Sequence, residues 1–374
     1  MKDCWRYIAE DRVSAAYGLA ADEYLMGTYE HPQGLVPPTL RLYTYRSHCA
    51  LVGQFQNLAA EIDIEFCRKA EIPTNRRPTG GGAILMGEDQ LGMALVTSTK
   101  YSGIPDHPRE IFALFSGGIC RGLETLGIDA AMRGKNDVVV AGRKIAGLGL
   151  CRGAKGALLF HASLLVDLDT ALMLQVLKIP REKLGDKLRP AVEENITTVR
   201  REAGTPIAVT EVRKIVRQGF AAAMGLNFIE RPFSLPEKEQ IAALEREKFA
   251  NRDWVFGRSS APAKSGADLR KTPEGLLRIY VSVVNEVIDG IQITGDFFAD
   301  RKFVRALERN ITGLPAAEAL VRPAIRQVYA TASSCVTGIA EEDLARSVMA
   351  ALEQAKQSTG RETPYGCFLA PMGG

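Results

Sequence analysis

Nothing in the sequence approaches the roughly 18 apolar residues of a membrane span. Its first residues, MKDCWRYIAEDR, are polar where a secretion signal needs an apolar stretch of about 7–15. A cytoplasmic chain with no membrane partner is expected. The seven cysteines (Cys4, Cys49, Cys67, Cys120, Cys151, Cys335, Cys367) include no CxxC pair, and an odd number cannot pair off within one chain, so reduced thiols are expected. Four scattered histidines (His31, His48, His107, His161) make no zinc pattern. No block of like charge accompanies the net +3, which leaves a nucleic-acid partner without an electrostatic basis. Internal repeats are absent, as are the GxGxxG fingerprint and the GxxxxGK[ST] phosphate loop.

What remains is an ordinary globular composition, 46% apolar and 24% charged, in 374 residues, a length that favours two domains over one core. Helical spacing runs from Arg12 to Tyr29, before His31-Pro32-Gln33-Gly34. Short strand-like runs follow at Leu40–Tyr45 and Ala50–Val52, then a helix over Asn57–Lys69, a strand at Gly92–Thr97 and a long helix over His107–Leu126. Val138–Val140 and Lys144-Ile145 flank Ala141-Gly142, a tight turn between strands, and Ala157–Val166 is a further strand holding one histidine. Helices are expected at Thr170–Leu177, Thr210–Ala223 and Glu237–Lys248. Between Gly257 and Gly275 the chain turns rich in Ser, Ala, Pro and Gly, which reads as a linker over 258–275. Beyond it, Leu277, Ile279, Val281 and Val283 alternate with polar residues, Asp289-Gly290 offers a hairpin turn, and helices at Arg301–Arg309 and Glu341–Gln354 complete a small α+β domain over 276–374.

Three constellations could carry chemistry. In Arg76-Arg77-Pro78-Thr79-Gly80-Gly81-Gly82-Ala83, consecutive glycines let backbone N–H groups approach an anion and the arginines add fixed charge. A mobile surface turn would use the same glycines. In Asn136-Asp137-Val138-Val139-Val140-Ala141-Gly142-Arg143-Lys144-Ile145, a lysine among strand residues could neutralise a phosphate or a reacting carboxylate, and Asn136-Asp137 could hold a hard cation such as Mg²⁺. A hairpin with a solvated Arg-Lys pair fits the same residues. His161, in Phe160-His161-Ala162-Ser163, is either a site residue or a hydrogen-bonded core histidine.

In this order and spacing the three constellations resemble the motifs of the lipoate–protein ligase family. Gly18-Leu19-Ala20-Ala21-Asp22-Glu23, Val52-Gly53-Gln54-Phe55-Gln56-Asn57 and Trp254-Val255-Phe256-Gly257 are similar to further family segments. The resemblance implies an α/β (α+β) fold: a mixed-sheet catalytic domain of the biotin/lipoate ligase type over 1–257 and a smaller accessory domain over 276–374. It implies a monomeric enzyme that activates lipoate with ATP and Mg²⁺ to lipoyl-AMP and transfers the lipoyl group to a lysine of a lipoyl carrier protein. By motif, Arg77, Gly82, Ala83, Ile84, Leu85, Asn136, Asp137 and Lys144 would hold ATP and the adenylate. Arg76, Thr79, Gly80, Gly81, Lys144, Arg152 and His161 would hold lipoate, with the first-helix acidic pair Asp22-Glu23 as further pocket members. Asp137 would position Mg²⁺, and Lys144 would be the catalytic residue.

Met86-Gly87 stands where the family usually carries a His-Asp pair, and Pro180–Val199 only loosely approximates its adenylate loop. An alternative enzyme is an octanoyl or lipoyl transferase that needs no ATP. Its cysteine-dependent versions place a thiol where this chain has Asn136-Asp137. Another is a silent module that binds lipoate or its carrier. Biotin ligation lacks its GRGRxGR-like loop here.

Overall fold

The computed structural model describes residues 4–29, 37–101, 103–178, 194–258, 265–331 and 338–359. These divide into two compact units: the first runs through residue 258 and includes Gly295–Asp300, and the second holds the other described residues from 265 onward.

The first unit is built on an eight-stranded mixed sheet. Its strands are β1 (Cys4–Val13), β2 (Thr39–Tyr45), β6 (Gln90–Ser98), β7 (Ala130–Arg133), β8 (Asp137–Val140), β9 (Arg143–Arg152), β10 (Ala157–Leu165) and β11 (Asn227–Glu230), in the order β11-β1-β2-β6-β10-β9-β8-β7. β1 is parallel to β2 and β11, and the remaining neighbours are antiparallel. A smaller sheet pairs β3 (Cys49–Val52) with β4 (Thr74–Arg76) and β5 (Ile84–Met86).

Strand period divides the large sheet into two faces. Leu40, Leu42, Leu95, Phe160 and Leu164 pack under the Pro108–Glu124 and Val209–Met224 helices. Those helices touch through glycines: a Cβ on Gly219 would stand 2.3 Å from the Gly118 carbonyl oxygen. Ile8, Tyr43, Ala94, Val96 and Leu159 face the other way, toward the Ala15–Gly27 helix. That helix starts where Ser14 caps it, its hydroxyl accepting from the Tyr17 N–H at 3.1 Å.

β1 departs from the sequence reading, which left its polar residues outside any element. Arg6 is buried there because Glu237 meets it at 2.6 Å from 231 residues away. The helix expected over Asn57–Lys69 is two shorter ones, Leu58–Glu61 and Ile64–Lys69, because Asp63 caps a fresh start. The hairpin between β8 and β9 turns at Ala141-Gly142 as read, with φ of 47° and 81°.

In the second unit, β12 (Ser265–Thr272), β13 (Gly275–Val284) and β14 (Val287–Gly295) form a meander, accompanied by helices Arg301–Ile311, Glu318–Thr331 and Glu341–Thr359. β12 occupies much of the stretch read as linker, and residues 259–264 of that stretch lie outside the described residues. Gly266 allows the Glu341–Thr359 helix to lie flush on β12, since a Cβ there would meet the Ala351 oxygen at 2.1 Å. The hairpin turns at Asn285-Glu286 (φ 50° and 63°), and Asp289-Gly290 lie within β14. A turn at the later pair would take Ile288, fully buried here, out of the sheet. Among the described residues no helix is long and apolar enough to cross a membrane.

Candidate active site

Missing side chains open a cavity on the face of the large sheet that looks toward the Ala15–Gly27 helix. On that face β6 carries Gly92 and β9 carries Gly147 and Gly149. Across the ladder from them, β10 presents Ser163 beside Gly92 and Gly147, and His161 beside Gly149. The resulting space is about 120 Å³, with Leu19, Leu51, Ile84 and Met86 among its apolar walls and Arg77, Thr79, Asn136, Lys144, His161 and Ser163 among its polar ones. A slender acyl chain with one reactive end suits such a lining.

The glycine-rich loop forms one wall, and its two arginines part company. Arg76 is 1% exposed, and its guanidinium donates to the carbonyl oxygens of Gly53, Gln54, Gln56, Trp254 and Val255 at 2.6–3.1 Å. Trp254 Nε1 donates back to the Arg76 oxygen at 2.8 Å. Arg76 was expected to hold lipoate; instead it fastens together the two distant segments that resemble family motifs, and it does not line the cavity. Arg77 does line it, donating to the oxygens of Leu51, Gly80 and Gly82. Burial lowers its pKa to about 10, and among the described residues no carboxylate pairs with it, so the site holds a cation ready for an anionic group.

The three glycines have separate reasons. Gly80 lies against the Phe297 backbone, where a Cβ would stand 2.4 Å from its oxygen; Gly81 has a φ of 93°; and Gly82 fronts the cavity with nothing within 4 Å of a Cβ. Gly80 and Gly81 are thus packing and turn residues, and neither is among the cavity walls. Ala83 and Ile84 follow Gly82 along the wall, whereas Leu85 points into the core beside Leu58 and Met173.

Opposite, the β8–β9 hairpin brings Lys144 to the cavity with its Nζ 2.7 Å from Asp137 Oδ1. Gly147 leaves room for this side chain, since a Cβ would stand 3.2 Å from Nζ. Asn136 also lines the cavity and donates from Nδ2 to the Leu148 oxygen at 2.9 Å. Asp137 is a single carboxylate already paired with a lysine, and no three His, Cys, Asp or Glu side chains come together among the described residues. That donor set does not by itself fit a protein-held Mg²⁺. Arg152 is directed to the Asp106 oxygen, away from the cavity.

Behind His161 stands one member of the first-helix acidic pair that the resemblance offered for the pocket, with partners that the sequence did not show. Asp22, wholly buried, accepts from Arg41 Nη1 at 2.6 Å, from the Tyr43 hydroxyl at 3.0 Å and from His161 Nε2 at 3.0 Å. Burial would raise the Asp22 pKa, but Arg41 and the His161 hydrogen bond outweigh it and hold the carboxyl below its usual range. Its helix neighbour Glu23 turns to Lys248 instead. None of the five described cysteines lines the cavity. Burial pushes the Cys49 thiol far up, away from thiolate chemistry. Cys335 and Cys367, and residues 180–193 of the loosely matched Pro180–Val199 segment, lie outside the described residues.

The lipoyl protein ligase A/B catalytic domain family matches residues 14–221, and the bacterial lipoate protein ligase C-terminus family matches residues 267–347. The octanoyltransferase LipM of Kyrpidia tusciae is 32% identical over 274 residues, 67% of this chain and 98% of that protein. The octanoyltransferase LipM of Geobacillus kaustophilus is 29% identical over 282 residues, 69% and 99% of the two chains. Among solved structures, the bipartite lipoate protein ligase of a Thermoplasma acidophilum lipoylation system, described with its E2 lipoyl domain, is similar with a TM-score of 0.61. It is 27% identical, and the match covers 70% of this chain and 100% of that one.

The Kyrpidia and Geobacillus relatives overturn the expectation of ATP-dependent lipoate activation through lipoyl-AMP, for they are octanoyltransferases. ATP and Mg²⁺ as co-substrate and metal find no support in these octanoyltransferases. The motifs misled because a cationic lysine facing a glycine-rich loop serves any acyl transfer in which negative charge develops on a carbonyl oxygen, whether the leaving group is a phosphate or a thiolate. The match across more than half of the sequence places this chain in the family of lipoyl protein ligase A/B catalytic domains.

Proposed function

We propose that the protein transfers a medium-length acyl group of the octanoyl type from a thioester donor to a lysine of a lipoyl carrier domain, without ATP. The observation that carries this reading is the placement of the Lys144 ammonium beside a narrow, largely apolar cavity, in a chain whose relatives are octanoyltransferases. The lipoyl domain as acceptor is supported by the Thermoplasma acidophilum ligase, which is described with such a domain.

The acyl chain would lie along Leu19, Leu51, Ile84 and Met86 with its carbonyl toward Lys144. A thioester is already activated, so the protein has to orient it and stabilise the oxyanion formed when the acceptor amine attacks. Lys144 supplies that charge, with Asp137 fixing its direction. Arg77 and the Gly82 wall would take an anionic part of the donor, and Asn136 keeps the hairpin backbone in place through Leu148. Met86, apolar where the resemblance expected a histidine, adds acyl-chain surface. Because no described cysteine lines the cavity, the acyl group would pass directly from donor to acceptor in one complex. Residues 276–374 would serve as the accessory domain.

The test is to mix the full chain with octanoyl-coenzyme A and a lipoyl domain in the absence of nucleotide, and to measure the domain by mass spectrometry. One added octanoyl group on its lysine is expected. An unmodified domain, or modification that appears only when ATP is supplied, would sink the reading.

A further inference from the structure

The Lys144 ammonium, paired with Asp137, offers protons and accepts none, yet the acceptor lysine of a carrier domain enters as an ammonium, with an ordinary pKa of about 10.4, and must lose a proton before its nitrogen can attack. On the cavity wall a second constellation has the opposite polarity. A carboxylate can only accept, so the contact between Asp22 Oδ2 and His161 Nε2 at 3.0 Å puts a proton on Nε2, and in the neutral imidazole Nδ1 then keeps a free lone pair. Facing that lone pair is Thr79 Oγ1 at 3.3 Å. The threonine hydroxyl donates inward to His161 and so turns its own lone pairs toward the cavity, which both residues line.

The arrangement is held from every side. Asp22 comes from the Ala15–Gly27 helix and is fixed by Arg41 and Tyr43 of β2; Arg41 is in turn held by Glu10 of β1 at 2.7 Å. Gly149 of β9 lets the chain approach closely, since a Cβ there would stand 3.1 Å from Thr79 Oγ1. The Thr79 carbonyl accepts from the Gln54 N–H at 2.9 Å. A core histidine would use the same two partners, but it would need no place on the cavity wall.

Building on the acyl-transfer reading above, we propose that Thr79 is the catalytic residue that takes the proton from the acceptor ammonium, with His161 behind it to receive the threonine's own proton and Asp22 as the positioning residue that fixes the imidazole. One proton of the ammonium passes to Oγ1 as the Thr79 proton passes to Nδ1. The freed nitrogen lone pair forms the C–N bond and the donor's C–S bond breaks. The thiolate leaves with the second proton that the nitrogen gives up. His161 then returns its proton through Thr79 to the solvent, which leaves one amide, one thiol and one proton.

The test compares two acceptors with octanoyl-coenzyme A as donor: a lipoyl domain, whose lysine arrives protonated, and hydroxylamine, whose nitrogen is neutral at pH 7. Rates are taken above the enzyme-free background for wild type, His161→Gln, Thr79→Ala and Thr79→Ser. In His161→Gln and Thr79→Ala, transfer to lysine is expected to fall by about 100-fold or more, and at least about tenfold further than transfer to hydroxylamine. Thr79→Ser, which keeps the hydroxyl, should recover most of what Thr79→Ala loses. Equal losses on both acceptors, or a Thr79→Ala enzyme that still modifies lysine at the wild-type rate, would overturn the proton relay while leaving acyl transfer intact. Wild-type protein inactive on both acceptors would overturn relay and transfer together.

Discussion

Asp22–Arg41 and Asp137–Lys144 are the same chemistry in two settings. In each a carboxylate meets a cation, at 2.6 and 2.7 Å, and both pairs belong to one site, but the first is wholly buried and the second is 39% and 37% exposed. Water screens the open pair and lets Lys144 exchange its partner for a substrate oxygen at little cost. The dry pair cannot be broken so cheaply, because either member left alone is an uncompensated buried charge. A buried pair therefore fixes geometry, and an open one is available to act.

Five substitutions break or sharpen that contrast. Asp22→Asn should have the largest effect, lowering stability by about 3–5 kcal/mol in urea unfolding at neutral pH. Its sign with pH follows from the depressed Asp22 carboxyl: the stabilisation is present above the unfolded-state pKa of about 3.9 and is lost as pH falls through the lower folded-state value. The variant should therefore lack part of the acid-induced loss that wild type shows. Lys144→Ala should cut octanoyl transfer by roughly 100- to 1000-fold, while unfolding shifts by no more than about 1 kcal/mol. A Lys144→Ala protein that unfolds as readily as Asp22→Asn would erase the distinction. Arg76→Met, which leaves a group of backbone carbonyls without their donor, should cost about 2–3 kcal/mol in the same unfolding experiment. Arg77→Met, one residue on, should show its loss in the Michaelis constant for the donor. Asp137→Asn should be mildest, moving stability by less than about 1 kcal/mol and slowing transfer through misdirection of Lys144.

The candidate site was legible where chemistry is local. A glycine run beside arginines, and a lysine after a two-residue turn, are readable because neighbours in sequence remain neighbours in space, and Thr79, Gly82, Asn136 and Lys144 do share the cavity. The reading failed where roles depend on remote partners. Arg76 and Arg77 look equivalent in a string of letters. Only contacts with Gly53 and Trp254, 23 and 178 residues away, show that the first is a structural clasp. β1 was missed for a related reason, since Arg6 argues against burial until Glu237 arrives to pair with it.

By itself, then, the sequence determined the elements whose periodicity is strong, the glycine loop, the lysine hairpin and the family they resemble, because φ/ψ preferences and side-chain period act over a few residues. Tertiary structure decided which face of β10 His161 occupies and which cation neutralises Asp22. It also decided that Gly92, Gly147 and Gly149 would leave a cavity between them. His161 and Asp22 are 139 residues apart, and a hydrogen bond across that separation exists only once the sheet has set its register and the first helix has packed against it.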